Sequence, residues 1–366
     1  MACDFLPLAK KGVQGLQPYQ PGKPIDELKR ELGLTEVVKL ASNENPLGLS
    51  KRVKKVLADN LDSLTRYPDG AGFELKAALS KKLGVQSNQI VLGNGSNDVL
   101  DLIGLCFLSE TTSAVFSQYA FVVYPIMVQY LGAKAIVTPA KQWGHDLDAM
   151  LAAVQVDTRV VFIANPNNPT GTWLEHDELR NFMLLVREDV IVVLDEAYTE
   201  YNKSGCVADG IALQKEFSNL IVVRTFSKAY GLAGLRVGYS VSTPELANII
   251  NRVREPFNVS SLGQMAAVEV LNDAEYLAES VRVNDEGRKQ LEAGFVELGI
   301  EFIPSQGNFI TFDTKQDAMQ VYQKLLAKGV IVRPIVPYGM PNHLRVSIGL
   351  EAENAFFLKA LRQVFA

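Results

Sequence analysis

The sequence predicts an α/β fold: a mainly parallel, seven-stranded sheet between helices, followed by a smaller α+β domain. Two observations carry this expectation. Short, continuous apolar runs recur from residue 90 onward with helix-length segments between them, as in parallel strands covered on both faces. Beyond Val241 the alternation fades into a long helical stretch and then scattered strands, which suits a separate α+β layer. With 366 residues, 48% hydrophobic and 21% charged, the chain is long enough for one large core and a second, smaller one. The expected divisions are an arm with part of the small domain over 1–44, a large domain over 45–270 and a small domain over 271–366.

The totals also exclude function classes. A formal charge of −5 gives no general attraction to nucleic acid or acidic membranes, so an anionic ligand must be held by locally placed donors. Three cysteines and three histidines lie far apart without ligand spacing, so no metal site and no disulfide framework are expected. The apolar runs are strand-length and the first residues do not resemble a secretion signal, so a cytoplasmic location is expected.

In order, residues 1–25 read as an extended arm, since Pro18-Tyr19-Gln20-Pro21-Gly22-Lys23-Pro24 cannot be helix interior. Tyr19 either anchors this arm or offers its hydroxyl to a ligand. A short helix over 24–32 precedes the apolar step Val37–Leu40. Ala41-Ser42-Asn43-Glu44-Asn45-Pro46 then makes a polar crossing between domains. A helix over 51–60 leads to Thr65-Arg66-Tyr67-Pro68-Asp69.

The seven strand candidates are 90–92, 113–116, 135–137, 160–163, 190–194, 220–223 and 237–241. In such sheets ligands gather at the carboxyl ends of strands, so the residues that follow each one matter most. After the first comes Gly93-Asn94-Gly95-Ser96-Asn97-Asp98, opening a helix. It serves equally as an anion cradle or as a plain capped turn. Phe121 follows the second, and Asn165-Pro166-Asn167-Asn168-Pro169-Thr170-Gly171 the fourth. Asp195 ends the fifth, where a buried carboxylate needs a cation or donor, with Tyr198 three residues on.

The sixth strand delivers Thr225-Phe226-Ser227-Lys228, with Arg236 eight residues later. A partly desolvated lysine loses its proton more readily and attacks aldehydes to form Schiff bases. Thr225, Ser227 and Arg236 supply the hydroxyl and guanidinium donors a phosphate requires. An imine-forming lysine beside a phosphate site points to pyridoxal phosphate. In the last third, a helical region over 244–298 is broken near 256–260, and Arg333 and Arg345 lie on strand-like runs as candidate anion clamps.

Taken together, Asn168-Pro169-Thr170-Gly171, Asp195-x-x-Tyr198 and Ser227-Lys228 with Arg236 resemble the fold-type I pyridoxal-phosphate aminotransferases from end to end. The arm, Ala41–Pro46, Arg66–Asp69 and Leu344–Gly349 narrow the resemblance to a branch acting on phosphorylated substrates. The resemblance implies pyridoxal 5'-phosphate as cofactor and transamination between L-histidinol phosphate and 2-oxoglutarate. A broad aromatic amino-acid aminotransferase and a threonine-phosphate decarboxylase remain as alternatives.

The roles that the resemblance implies are specific. Lys228 holds the cofactor aldehyde and carries the proton, and Asp195 keeps the ring nitrogen protonated. Asn168 and Tyr198 hydrogen-bond the ring oxygen, and Phe121 stacks on the ring. Gly95, Ser96, Asn97, Thr225, Ser227 and Arg236 surround the phosphate, joined by Tyr67 of a second subunit in a homodimer. Tyr19, Asn45, Asn308, Arg333 and Arg345 bind substrate.

Overall fold

The structure is a computed structural model and describes residues 4–18, 22–202 and 205–365. Its main sheet has seven strands, in spatial order Ile90–Gly93, Gly238–Val241, Leu220–Thr225, Ile191–Asp195, Thr158–Ala164, Ser113–Ser117 and Lys134–Thr138. Six strands run in one direction, and Gly238–Val241 is antiparallel to both of its neighbours.

The continuous apolar runs have a direct cause: the sheet is buried on both faces. Along Thr158–Ala164, Val161 and Ile163 belong to one core, whereas Val160 and Phe162 belong to the core on the opposite face. Val192 and Leu194 alternate with Val193 in the same way. Side chains with period two therefore meet helices above and below, and the middle of each of these strands is apolar throughout.

A second core gathers Leu28 and Leu40 from the early chain with residues from 291 to 361. It backs a four-stranded antiparallel sheet in the order Phe302–Ile303, Phe309–Asp313, His343–Ser347 and Arg333–Pro334. Val38–Lys39 pairs in parallel with Val330–Ile331, which ties the early chain to this part of the molecule.

The expected helical region over 244–298 is three helices, Pro244–Asn251, Ser261–Leu271 and Ala274–Glu297. The sequence signalled the first gap. The second, at Asn272-Asp273, arises because the Asp273 side chain accepts the Tyr276 N–H and caps a new helix. That last helix, roughly 36 Å long at 1.5 Å per residue, packs Leu277 against the first core and Leu291 and Phe295 into the second. Among the described residues no helix is long and apolar enough to cross a membrane.

Candidate active site

The carboxyl ends of the parallel strands converge on a cavity of about 300 Å³. Its lining brings together Ser96, Asn97, Phe121, Asn168, Asp195, Tyr198, Thr225, Ser227, Lys228, Arg236, Arg333 and Arg345 from the sequence reading. Each parallel strand delivers its own loop to this edge. Arg236 reaches it by another route: the antiparallel strand begins there, so Arg236, two residues before Gly238, comes near the residues that follow Gly93 and Thr225.

The anion end is built around the helix Ser96–Phe107. Its N-cap is Gly95, which makes no side-chain capping bond, so the first-turn N–H groups and the positive end of the helix dipole face the cavity. Gly95 has φ 89°, and a Cβ there would fall 2.3 Å from Arg236 Nη2. Only glycine permits both the backbone turn and the close approach of the guanidinium. Arg236 itself sits at φ 54°, strain of the kind that persists where surrounding contacts fix a functional group. Its Nη1 donates to Ser227 Oγ at 3.5 Å, while Thr225 Oγ1 accepts the Ser227 N–H at 3.1 Å.

At the opposite end Asp195 is 4% exposed. Its Oδ2 accepts from the Tyr124 hydroxyl at 2.9 Å, and its Oδ1 has no hydrogen-bond partner among the described residues. Burial raises the Asp195 carboxyl to about 6, against the opposing effect of the Tyr124 bond. A buried carboxylate oxygen without a donor, at the floor of a cavity, calls for a protonated nitrogen. Tyr124 is missing from the sequence reading, because Tyr124 inside Val122–Met127 looks like a core aromatic. It is one, stacked on Phe162 at 4.9 Å, with its hydroxyl on Asp195.

Lys228 is half-buried, and its Nζ donates to the Ser42 carbonyl at 3.1 Å. Burial, with Arg345 and Arg236 nearby, pulls its ammonium down to about 8, although Glu44 and Asp195 oppose this. Tyr198 is 3% exposed, accepts from Asn43 Nδ2 at 3.1 Å and is raised to about 12, mainly by burial.

Two further cavity residues come from the small sheet. Arg333 and Arg345 are direct cross-strand partners, a pairing that the sequence did not contain. Arg345 donates from Nη1 to Asn168 Oδ1 at 2.5 Å and from Nη2 to the Ala41 carbonyl at 2.9 Å, and its guanidinium lies 5.2 Å from the centroid of the Phe309 ring.

Two expected substrate residues stand elsewhere. Asn45 turns away from the cavity: its amide donates to the carbonyls of Lys228 and Ala229 and to Ser280 Oγ, so it braces the lysine's backbone. Asn308 likewise donates to the Asn43 carbonyl at 2.9 Å and supports the loop that does line the cavity. Asn43, named only as loop in the sequence reading, is the asparagine of that segment whose side chain reaches a site residue. Tyr19 lies outside the described residues; the chain resumes at Gly22, where a Cβ would lie 3.9 Å from Arg333 Nη1. Tyr67 is 83% exposed and stacks on Phe257 at 4.8 Å, away from this cavity within its own chain.

The residues fit a group that carries an aldehyde, a basic ring nitrogen and a phosphate. An amine that sheds its proton readily, an unpartnered carboxylate oxygen and an anion cradle lie around one cavity. Comparison with known proteins agrees. Residues 35–361 match the family model for aminotransferase class I and II, and the chain belongs to that family. Its relatives include proteins named histidinol-phosphate aminotransferase 2. That of Pseudomonas fluorescens (strain Pf0-1) is 58% identical over the whole of both chains, and that of Haemophilus influenzae (strain 86-028NP) is 53% identical over 98% of each. The solved structure of histidinol-phosphate aminotransferase from Sinorhizobium meliloti, in complex with pyridoxal-5'-phosphate, superposes with a TM-score of 0.88 at 28% identity. The match covers 97% of this chain and 96% of that one.

Proposed function

We propose that this chain transfers an amino group between L-histidinol phosphate and 2-oxoglutarate, giving imidazole-acetol phosphate and L-glutamate, with pyridoxal 5'-phosphate as cofactor. The observation that carries the reading is the pairing of Arg333 with Arg345 on adjacent strands, both lining the cavity of Lys228. Two substrates, one ending in a phosphate and one in a carboxylate, must use the same site in turn. Arginine forks accept either oxyanion. The full-length relatives of this name support the substrate choice over the aromatic aminotransferase and the decarboxylase.

Pyridoxal phosphate supplies, when bound, an aldehyde that takes up amines and a ring that accepts the electron pair released at the neighbouring carbon. Asp195 Oδ1 would accept the ring N–H and balance its positive charge. Ser96, Asn97, Thr225, Ser227 and Arg236 would hold the phosphate, with Gly95 leaving them room. Asn168 and Tyr198 would hydrogen-bond the ring oxygen, and Phe121 would cover the ring. Lys228 Nζ would take the proton from the substrate Cα and give it to the cofactor carbon on the other side of the transferred nitrogen, for which an amine pulled down to about 8 is suited. Arg345 and Arg333, with Tyr19 from the arm, hold the substrate's acidic end.

The reading includes domain divisions near 45 and 271, a cytoplasmic setting and a homodimer in which each copy lends Tyr67 to the other's phosphate site. The strong exposure of Tyr67 and Phe73, beside a groove containing Leu75 and Met265, supports such a dimer. Mixing the cofactor-loaded protein separately with L-histidinol phosphate, L-glutamate and L-phenylalanine tests the substrate assignment. The visible cofactor band should disappear with the first two and persist far longer with phenylalanine. Rapid reaction with phenylalanine and none with histidinol phosphate, or carbon dioxide release from threonine phosphate, would overturn it.

A further inference from the structure

We propose that Asn43 is a positioning residue for amino transfer: it turns the Tyr198 hydroxyl proton into the cavity and strengthens it as a donor to the cofactor's ring oxygen. The inference rests on the reading of Tyr198 given above and deepens it.

Asn43 is 1% exposed and lies on the crossing segment between the two cores. Both ends of its side chain, and both of its backbone polar groups, are engaged. The Ser347 hydroxyl accepts the Asn43 backbone N–H at 2.8 Å and donates to Asn43 Oδ1 at 3.0 Å. Asn308 Nδ2 donates to the Asn43 carbonyl at 2.9 Å. With Oδ1 directed at Ser347, the amide nitrogen faces Tyr198 and donates to its hydroxyl at 3.1 Å. The bonds therefore run in one direction, from Ser347 to Asn43 to Tyr198.

A phenol oxygen that receives an N–H keeps its own proton to give. No hydrogen bond joins that proton to a protein acceptor among the described residues, and Tyr198 lines the cavity. Donors linked head to tail polarise one another, so the last member donates more strongly than an isolated phenol. The other groups that bear on Tyr198 are Arg345 (on the same small-sheet strand as Ser347), Asp195 and Tyr338, and Lys228, whose Nζ lies 5.9 Å from the ring centroid. Among the described residues none of these groups is hydrogen-bonded to the Tyr198 hydroxyl, whose partner is the Asn43 amide.

Asn43 also occupies a costly backbone position, φ 54°, which asparagine tolerates better than most residues. Asn43→Ala would add strain to the loss of the amide. The test therefore uses Asn43→Gly, which accepts that φ, together with Asn43→Asp, which keeps the shape but turns the donor into an acceptor. The readout is the pH midpoint of the visible band of the cofactor bound to Lys228, followed in the holoenzyme without substrate. A donor on the ring oxygen stabilises that oxygen's negative charge. It thereby favours the deprotonated state of the neighbouring nitrogen, so losing the donor raises the midpoint.

Tyr198→Phe sets the full scale of this rise. Asn43→Gly should give a rise of about half a pH unit, the size one buried hydrogen bond commands. Asn43→Asp should give more, because the phenol then donates to the new carboxylate. Ser347→Ala should move the midpoint the same way by less. A clear rise in Tyr198→Phe with none in Asn43→Gly or Asn43→Asp overturns the inference alone. No change in Tyr198→Phe overturns the underlying reading of Tyr198 as well. Thermal melting of each holoenzyme separates these spectral effects from a general loss of structure.

Discussion

Lys228 and the Ser96–Asn97 turn follow strands of the large sheet and Asp195 ends one, whereas Arg333 and Arg345 lie within strands of the small one. The first group is fixed by position in the chain. A parallel strand buried on both faces can present chemistry only where it ends, so each group lies within a few residues of the end of an apolar run. The second group is fixed by pairing. Arg345 is 7% exposed between the buried Leu344 and Val346, and the register that brings it to the cavity places it opposite Arg333. The residues proposed to hold the cofactor are thus mounted on one sheet, and those proposed to hold the substrate on a separate sheet with its own core.

If that division is real, variants on the two sides should fail differently. The largest effect is expected for Lys228→Ala, a loss of turnover of roughly ten-thousand-fold with the remaining protein still folded. Mixing these copies with Tyr67→Ala copies should restore up to about a quarter of the wild-type sites if the dimer shares residues. No recovery after subunit exchange would remove Tyr67 from the site.

Next comes Arg345→Ala, with kcat/KM for both substrates reduced about a hundredfold through the loss of a charge-assisted contact. Arg345→Lys should recover little of this, since a lysine cannot reproduce the fork that holds both Asn168 and the Ala41 carbonyl. Steady-state kinetics with each substrate would decide. A variant that damages only one substrate would split the oxyanion site in two.

The smallest effect is on stability. In the cofactor-free protein the Asp195 carboxyl titrates near 6, above its ordinary value near 4, so the folded state disfavours its ionised form. This penalty is absent below pH 4, grows between 4 and 6 and is complete above 6. Asp195→Asn should therefore stabilise the cofactor-free fold by about 1–3 kcal/mol above pH 6 and leave it unchanged below pH 4. Denaturant unfolding at the two pH values checks this. Equal stability at both would show that the Tyr124 bond already offsets the burial.

The same division explains what could be read from the sequence. Strand ends are local, so Lys228, Asp195, Tyr198, Asn168 and the Gly95–Asn97 turn stood out from the residues beside them. Tyr124 did not, because an aromatic in an apolar helix is core in either case, and only its hydroxyl contact separates the two roles. Asn43 and Asn45 were indistinguishable in Ala41–Pro46. Which of them faces the cavity is decided by Ser347, which lies 304 residues away in sequence from Asn43. The small sheet was legible as scattered strands, but its antiparallel order was not, and with it went the meeting of the two arginines.

The reversed strand Gly238–Val241 has a practical consequence for anyone re-engineering this protein. Lys228 and Arg236 are the two moorings of one short connection, in which Tyr230 and Leu232 are packed into the core. Insertions are usually tolerated best in connecting loops, but lengthening this one would slacken the amine and the guanidinium together. Libraries meant to widen substrate choice should leave 229–235 untouched and vary the small-sheet strands.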